Sequence, residues 1–268
     1  MNDDVFKPLM GDTFRFSCHK GISCFTECCA KLHLILTPYD ILRMKNQLGL
    51  SSDEFLERFT DTDMKSHRRF LMIILKMRDD DKKSCPFVTK KGCSIYEDRP
   101  GACRLYPIGR AARMVDANDK NDAKDKFFLV EESHCFGFRE EKIWTLEEWL
   151  SHEGMSEYTA MNDKWLAIIG SQKSLGPKEA IQKKLQMFFM ASYNLDKFRE
   201  FIFQGRFFDL FDVDQGLKER LKNDDVALMG FAFDWLKFSL FGDKTIQLKS
   251  QALADLIPSK THPQRIGL

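Results

Sequence analysis

The sequence lacks any run of about 18 apolar residues, so a membrane-spanning helix is not expected. The nearest approach, VALMGFAFDWLKFSLF at residues 226–241, is interrupted by Asp234 and Lys237. The opening stretch MNDDVFKPLMGDTFRFSC is acidic and has no apolar core of the kind a secretory leader needs. A cytoplasmic location without a membrane partner is therefore expected. An excess of charge of either sign is also missing. The net charge is +1 and the isoelectric point about 7.6. That balance argues against a nucleic-acid tract or an acidic tail. There is no P-loop and no G-x-G-x-x-G after a strand, which disfavours a glycine-rich Rossmann site. No nucleophile elbow marks a Ser–His–Asp hydrolase. Internal repeats and low-complexity tracts are absent, and no cysteine lies beyond position 135.

What is present fits a folded chain. Hydrophobic residues make up 43% and charged ones 30% of 268 residues. That is enough for one large domain, or a domain with a helical annex, to bury a core without covalent staples. Yet there are eight cysteines: Cys18, Cys24, Cys28, Cys29, Cys85, Cys93, Cys103 and Cys135. A reducing compartment disfavours structural disulfides, and neighbours Cys28 and Cys29 could pair only with strain. Metal thiolates are the better account. Thiolates prefer soft or borderline metals such as zinc, copper(I) or iron–sulfur clusters. In extended backbone successive side chains point opposite ways, so Cys28 and Cys29 would more easily feed two metal positions than one. Two four-cysteine sites, or one four-cysteine cluster with the other thiols structural, both satisfy the count. The spacings match neither a paired C-x2-C zinc ribbon nor the regular ferredoxin run.

The local patterns predict an α+β fold. Residues 1–30 read as an irregular loop. In LTPYDILRMKNQLG, Thr37 is a helix cap, Pro38 the first helical residue and Gly49 the stop. Ser51 with Glu54, and Thr145 with Glu148, are capping boxes. RRFLMIILKMR leans to strand, and Lys91-Gly92 reads as a turn between short extended pieces. Pro100, Gly101 and Pro107 rule out long helices nearby. Residues 105–115 and 126–131 are expected as strands around a polar loop. Beyond Trp144 helical patterns dominate, with one helix expected from Pro177 to about Gly205 and another over 226–241. The chain thus divides into a cysteine-bearing, metal-binding half of short strands and helices at 1–140 and a mainly helical half at 141–268.

Other residues frame the thiols. Arg99 and Arg104 could neutralise thiolate charge or hold an anionic cofactor or substrate; ion pairs with Glu97 and Asp98 are the plainer reading, and both stand. For Arg110 and Arg113 the plainer reading is preferred. His19 and His134 flank Cys18 and Cys135 and read as neighbours of ligands rather than ligands. Tyr96 and Tyr106 could shield a cluster and donate to sulfur, or simply pack. Phe188, Phe198, Phe201 and Phe207 read as helical core. No catalytic residue stands out.

CFTECCAKLHLILTPYDILRM, LGLSSDEFLERF and above all CPFVTKKGCSIYEDRPGACRLYPIG, with the late Cys135, resemble the CxxCxxCC cysteine-cluster family, the YkgJ-type zinc- or iron-chelating domain, over roughly residues 14–138. The resemblance implies a metal site built from the eight cysteines. The spacing departs from the family name: five residues separate Cys18 from Cys24 and three separate Cys24 from Cys28, where the usual pattern has two in each gap. A distant similarity to flagellin lysine-N-methylases implies an iron–sulfur cluster (4Fe-4S), S-adenosylmethionine as methyl donor and a protein substrate. The readings left standing are such an enzyme, a structural zinc module presenting the helical half to a partner protein, and a redox or metal sensor.

Overall fold

A computed structural model describes residues 5–111 and 125–250. Two short strands, β1 (Phe6–Pro8) and β2 (Thr13–Arg15), precede a 3-10 turn at Glu27–Cys29. β3 (Ile35–Leu36) leads into α1 (Pro38–Leu48) and α2 (Ser52–Phe59), followed by β4 (Thr60–Asp63) and β5 (Met72–Leu75). The hairpin of β6 (Val88–Thr89) and β7 (Gly92–Cys93) comes next, then the 3-10 turn Tyr96–Asp98 and the five-residue α3 (Gly101–Leu105). β8 (Ile108–Ala111), β9 (Lys126–Val130) and a turn at Gly137–Arg139 complete the cysteine-bearing half. β10 (Ile143–Thr145) then opens a helical series: α4 (Leu146–His152), α5 (Met155–Ile169), α6 (Lys178–Tyr193), α7 (Leu195–Gln204) and α8 (Phe207–Leu210). β11 (Phe211–Asp212), α9 (Gln215–Asn223), α10 (Asp225–Phe241) and β12 (Gln247–Leu248) close the described chain. The fold is α+β with a helical C-terminal half.

Local chemistry sets the helix starts. The Thr37 side chain accepts from the Asp40 N–H while Asp40 accepts from the Thr37 N–H, and Gly49 ends α1 at φ 64°. Ser51 with Glu54 and Thr145 with Glu148 repeat the reciprocal arrangement at α2 and α4. Each box satisfies two backbone donors that a helix start otherwise leaves unpaired. α10 is apolar around most of its surface, so it belongs largely inside, with Asp234 left facing water. Leu228, Met229, Phe233, Leu236 and Leu240 on it are buried against α5, α6, α7 and α9. The apolar stretch at 226–241 is thus a core helix, and among the described residues no helix is long and apolar enough to cross a membrane.

Several expectations need correction. Within the supposed loop at 1–30, β1 pairs antiparallel with β9 (Phe6↔Val130) and β2 with β10 (Phe14↔Trp144). Such three-residue strands give no local hairpin signal, because their partners lie more than a hundred residues away. The strand expected from 105 starts at Ile108, since Leu105 still belongs to α3; positions 112–115 lie outside the described residues. The long helix expected at 177–205 is two helices. Asn194 leaves helical geometry at φ −110°, ψ 71°, and its side chain caps α7 through the Lys197 N–H. An Asn side chain competes for local backbone groups, which is why it favours caps over helix interiors.

The halves share one apolar core. β2 and β10 form a two-stranded sheet across them, and Phe70 stacks on Phe188 at 4.3 Å between ring centres. Tyr39 on α1 meets Tyr158 on α5 edge-on at 4.9 Å, and its hydroxyl donates to Glu157 at 2.9 Å.

Candidate metal centre

The thiols lie on irregular backbone braced by a few hydrogen bonds. After β2 the chain winds through tight turns: the N–H of Phe25 donates to Ile22, that of Glu27 to Cys24 and that of Cys29 to Thr26. Thr26 sits in left-handed geometry at φ 71°. Cys28 and Cys29 occupy the 3-10 turn, not the extended backbone expected. Successive side chains there diverge by about 120° rather than alternating.

Distant segments close on this loop from two directions. On one side the Ser17 N–H donates to the Gly137 carbonyl at 3.1 Å. The Phe136 N–H donates to Cys24 Sγ at 3.2 Å, which lays the segment bearing Cys135 on the segment bearing Cys18 and Cys24. On the other side the Cys85 N–H donates to the Cys29 carbonyl at 2.8 Å, beside an antiparallel bridge between Ala30 and Ser84. The Val88 N–H donates to the Cys85 carbonyl, and β6–β7 pairing sets Cys93 opposite Val88. Cys103 rides on α3, whose first N–H, that of Gly101, donates to the buried Asp40 carboxylate at 2.8 Å. Asp40 therefore serves two helix starts, α1 and α3.

Electrostatics reports the same neighbourhoods. Burial, then the nearby Cys28, Cys135 and Cys24, push the Cys18 thiol up to about 11, against a partial offset from Arg99. Burial, then Cys85, Asp40, Cys93 and Cys28, push Cys103 up to about 12. The Cys28 thiol is raised first by its hydrogen bond with Cys29 and then by burial. Cys85, Cys93 and Cys135 are raised mainly by burial. At these six positions burial and neighbouring sulfurs favour the protonated thiol.

All eight sulfurs are unpaired. Among the described residues no three side chains of His, Cys, Asp or Glu converge tightly enough to hold a metal ion. The donor chemistry nevertheless fits a thiophilic metal, since eight soft sulfurs gather around one loop. The buried Tyr106 hydroxyl has no hydrogen-bond partner of good geometry, and the Cys135 thiol is the polar group beside it.

The arginines are engaged. Arg99, 9% exposed, pairs with the 3% exposed Glu153, donates to the Tyr96 carbonyl at 2.7 Å and lies 3.6 Å over the Tyr96 ring. Arg104 donates to the Glu153 carbonyl at 2.6 Å and to the Glu97 carbonyl. Arg99 still lies within electrostatic reach of Cys18 and Cys93, whose thiols it favours in the charged form. The carboxylate expected to pair with them was Glu97 or Asp98. Glu153 takes that role for Arg99, and Asp98 pairs with Arg43 instead. Nothing in the spacing pointed to Glu153, which lies 54 residues from Arg99. Arg110 forms ion pairs with Asp125 and Asp163, both at 2.7 Å; Arg113 lies outside the described residues. His19 faces Glu140 at 3.1 Å and His134 faces Glu132 at 3.6 Å. Two shallow surface hollows, one along α4 and one where α2 meets α6 and α7, contain no cysteine.

The segment is thus a thiol-rich, disulfide-free cysteine cluster braced around one turn. Residues 17–136 match the family model CxxCxxCC, described as a "putative zinc- or iron-chelating domain". The match takes in all eight cysteines and leaves the helical half outside. No curated protein and no solved structure matches the chain.

Proposed function

We propose that the eight thiols hold metal, either zinc or an iron–sulfur cluster, and that the helical half is the platform on which this centre is built. One observation carries the reading. Unpaired cysteines from segments more than a hundred residues apart meet around the Glu27–Cys29 turn, an arrangement whose crowding a bound cation would relieve. Bound as thiolates, Cys18, Cys24, Cys28, Cys29, Cys85, Cys93, Cys103 and Cys135 would supply the ligands, with Arg99 offsetting part of their charge. Zinc would act as a structural clamp, and an iron–sulfur cluster would add one-electron chemistry.

The deciding experiment is anaerobic purification followed by metal and acid-labile sulfide analysis beside the visible spectrum. Iron with sulfide and a brown band near roughly 400 nm supports a cluster; zinc without sulfide, on a colourless protein, supports the clamp. Absence of both overturns the metal reading. Methyl transfer from S-adenosylmethionine to a protein lysine rests on the distant methylase similarity alone. In that reaction the sulfonium methyl passes to the lysine Nε, releasing S-adenosylhomocysteine and a proton. Failure of the metal-loaded protein to bind the donor removes this version and leaves the chelating one standing.

A further inference from the structure

We propose that the eight thiols form two adjacent four-cysteine sets, Cys18, Cys24, Cys28 and Cys135 on one side and Cys29, Cys85, Cys93 and Cys103 on the other, meeting at the Cys28–Cys29 peptide. The division rests on the metal-binding reading above and specifies its ligands. Sequence order would suggest another grouping, since the first four cysteines lie within twelve residues. Backbone hydrogen bonds cut across that order. Segment 134–137 is tied to Ser17 and to the Cys24 sulfur. Neither bond reaches the β6–β7 hairpin. Segment 84–88 is tied instead to Cys29 and Ala30, and carries Cys93 through hairpin pairing. The thiol neighbours of Cys18 are Cys28, Cys135 and Cys24, whereas those of Cys103 are Cys85 and Cys93, with Cys28 acting more weakly. Cys28 stands at the seam and feels both groups. A 3-10 turn suits a seam, because two consecutive side chains leave it about 120° apart and can enter neighbouring sites. Each set then has the four thiolates a tetrahedral zinc or a four-cysteine cluster requires.

The full chain loaded with zinc as probe tests this without any substitution. Zinc is withdrawn with increasing EDTA while free thiols are alkylated with iodoacetamide, and the intact mass is followed with peptide mapping. The expected result is about two zinc ions per chain and protection lost in steps of four thiols. The half-alkylated species should map to one of the two named sets. Loss of all eight thiols in a single step, or a half-alkylated species bearing Cys18, Cys24, Cys28 and Cys29, overturns the division while leaving metal binding intact. A chain that retains no zinc and alkylates at once without EDTA overturns both. Two variants check the assignment: Cys24→Ser and Cys93→Ser should each lower zinc to about one per chain while the opposite set stays protected. Loss of both ions from either variant that keeps its helical circular dichroism overturns the separation of the sites.

Discussion

The cysteine-bearing half and the helical half are held by different forces. In the helical half α10 is enclosed by helices, and Phe188, Phe198 and Phe233 are almost wholly out of water. Burying each such ring is worth about 1.5–3 kcal/mol. In the cysteine-bearing half the strands run two to five residues, and the turns around the thiols bury no residue of the Glu27–Cys29 turn. Its share of the common apolar core lies at α1 and β5, where Tyr39, Leu42, Met44 and Ile73 are buried. The contrast teaches that one chain can build a scaffold by apolar packing and leave an adjoining loop region to be completed by ligand bonds.

The largest effect should come from removing metal. Structural zinc in small sites is worth on the order of 10 kcal/mol. Chelation should therefore raise amide exchange by orders of magnitude in the loops at 17–30 and 84–94 and around Cys135, while α10 stays protected. Hydrogen exchange with mass spectrometry reads both regions at once. Equal acceleration in both would abolish the contrast, and no acceleration near the thiols would remove the ligand bonds from it.

The converse change is Phe198→Ala. Phe198 is fully buried and packs on Trp235 at 5.4 Å between ring centres. The expected loss is about 3–5 kcal/mol in urea unfolding of the metal-loaded chain, with metal content unchanged. Loss of metal at the same protein concentration would mean that the two regions do not separate.

How much of this was legible in the sequence follows the same contrast. Capping boxes at Thr37, Ser51 and Thr145 are four-residue patterns, and all three formed. The strand within RRFLMIILKMR and the β6–β7 hairpin were equally local, although the turn falls at Lys90-Lys91 and Gly92, expected in the turn, already pairs with Thr89 in β7. What stayed hidden depends on partners far along the chain. β1 and β2 exist only because β9 and β10 reach them. Glu153 opposite Arg99 and Asp40 beneath Gly101 are likewise tertiary meetings. The thiols were countable from the sequence, but their grouping was not, because it is set by which carbonyl Cys85 finds and which sulfur Phe136 finds.

Acidity offers a finer separation. In the metal-free chain the thiols of Cys18, at about 11, and Cys103, at about 12, keep their protons at neutral pH. Metal must displace those protons, so affinity should rise with pH throughout roughly pH 6 to 9, by up to tenfold per unit for each proton released. Calorimetry in buffers of different ionisation enthalpy counts the protons, and a count of zero would mean thiolates already formed. The helical half should be flat over that window. Asp224, held below its usual value first by the Ala227 N–H, contributes stability that is present above its unfolded value and lost only as acid carries the pH down through its lowered folded value.

The smallest effect tests whether local devices are indifferent to region. Thr37→Ala and Thr145→Ala each remove a cap hydroxyl, from α1 in the cysteine-bearing half and from α4 in the helical half. Each should cost about 1 kcal/mol in urea unfolding of the metal-loaded chain. The two sites differ in one respect. At α4 the reciprocal carboxylate, Glu148, is exposed and, among the described residues, bonds only within its own box. At α1 the reciprocal carboxylate is Asp40, buried and shared with the Gly101 N–H that starts the helix bearing Cys103. If the halves are independent at this scale, the costs match and metal content is unchanged in both variants. If Asp40 transmits the start of α1 to α3, Thr37→Ala costs more than Thr145→Ala and the excess disappears when metal is removed. That would place the boundary between packing and ligand bonds inside the first helix rather than at the thiol loop.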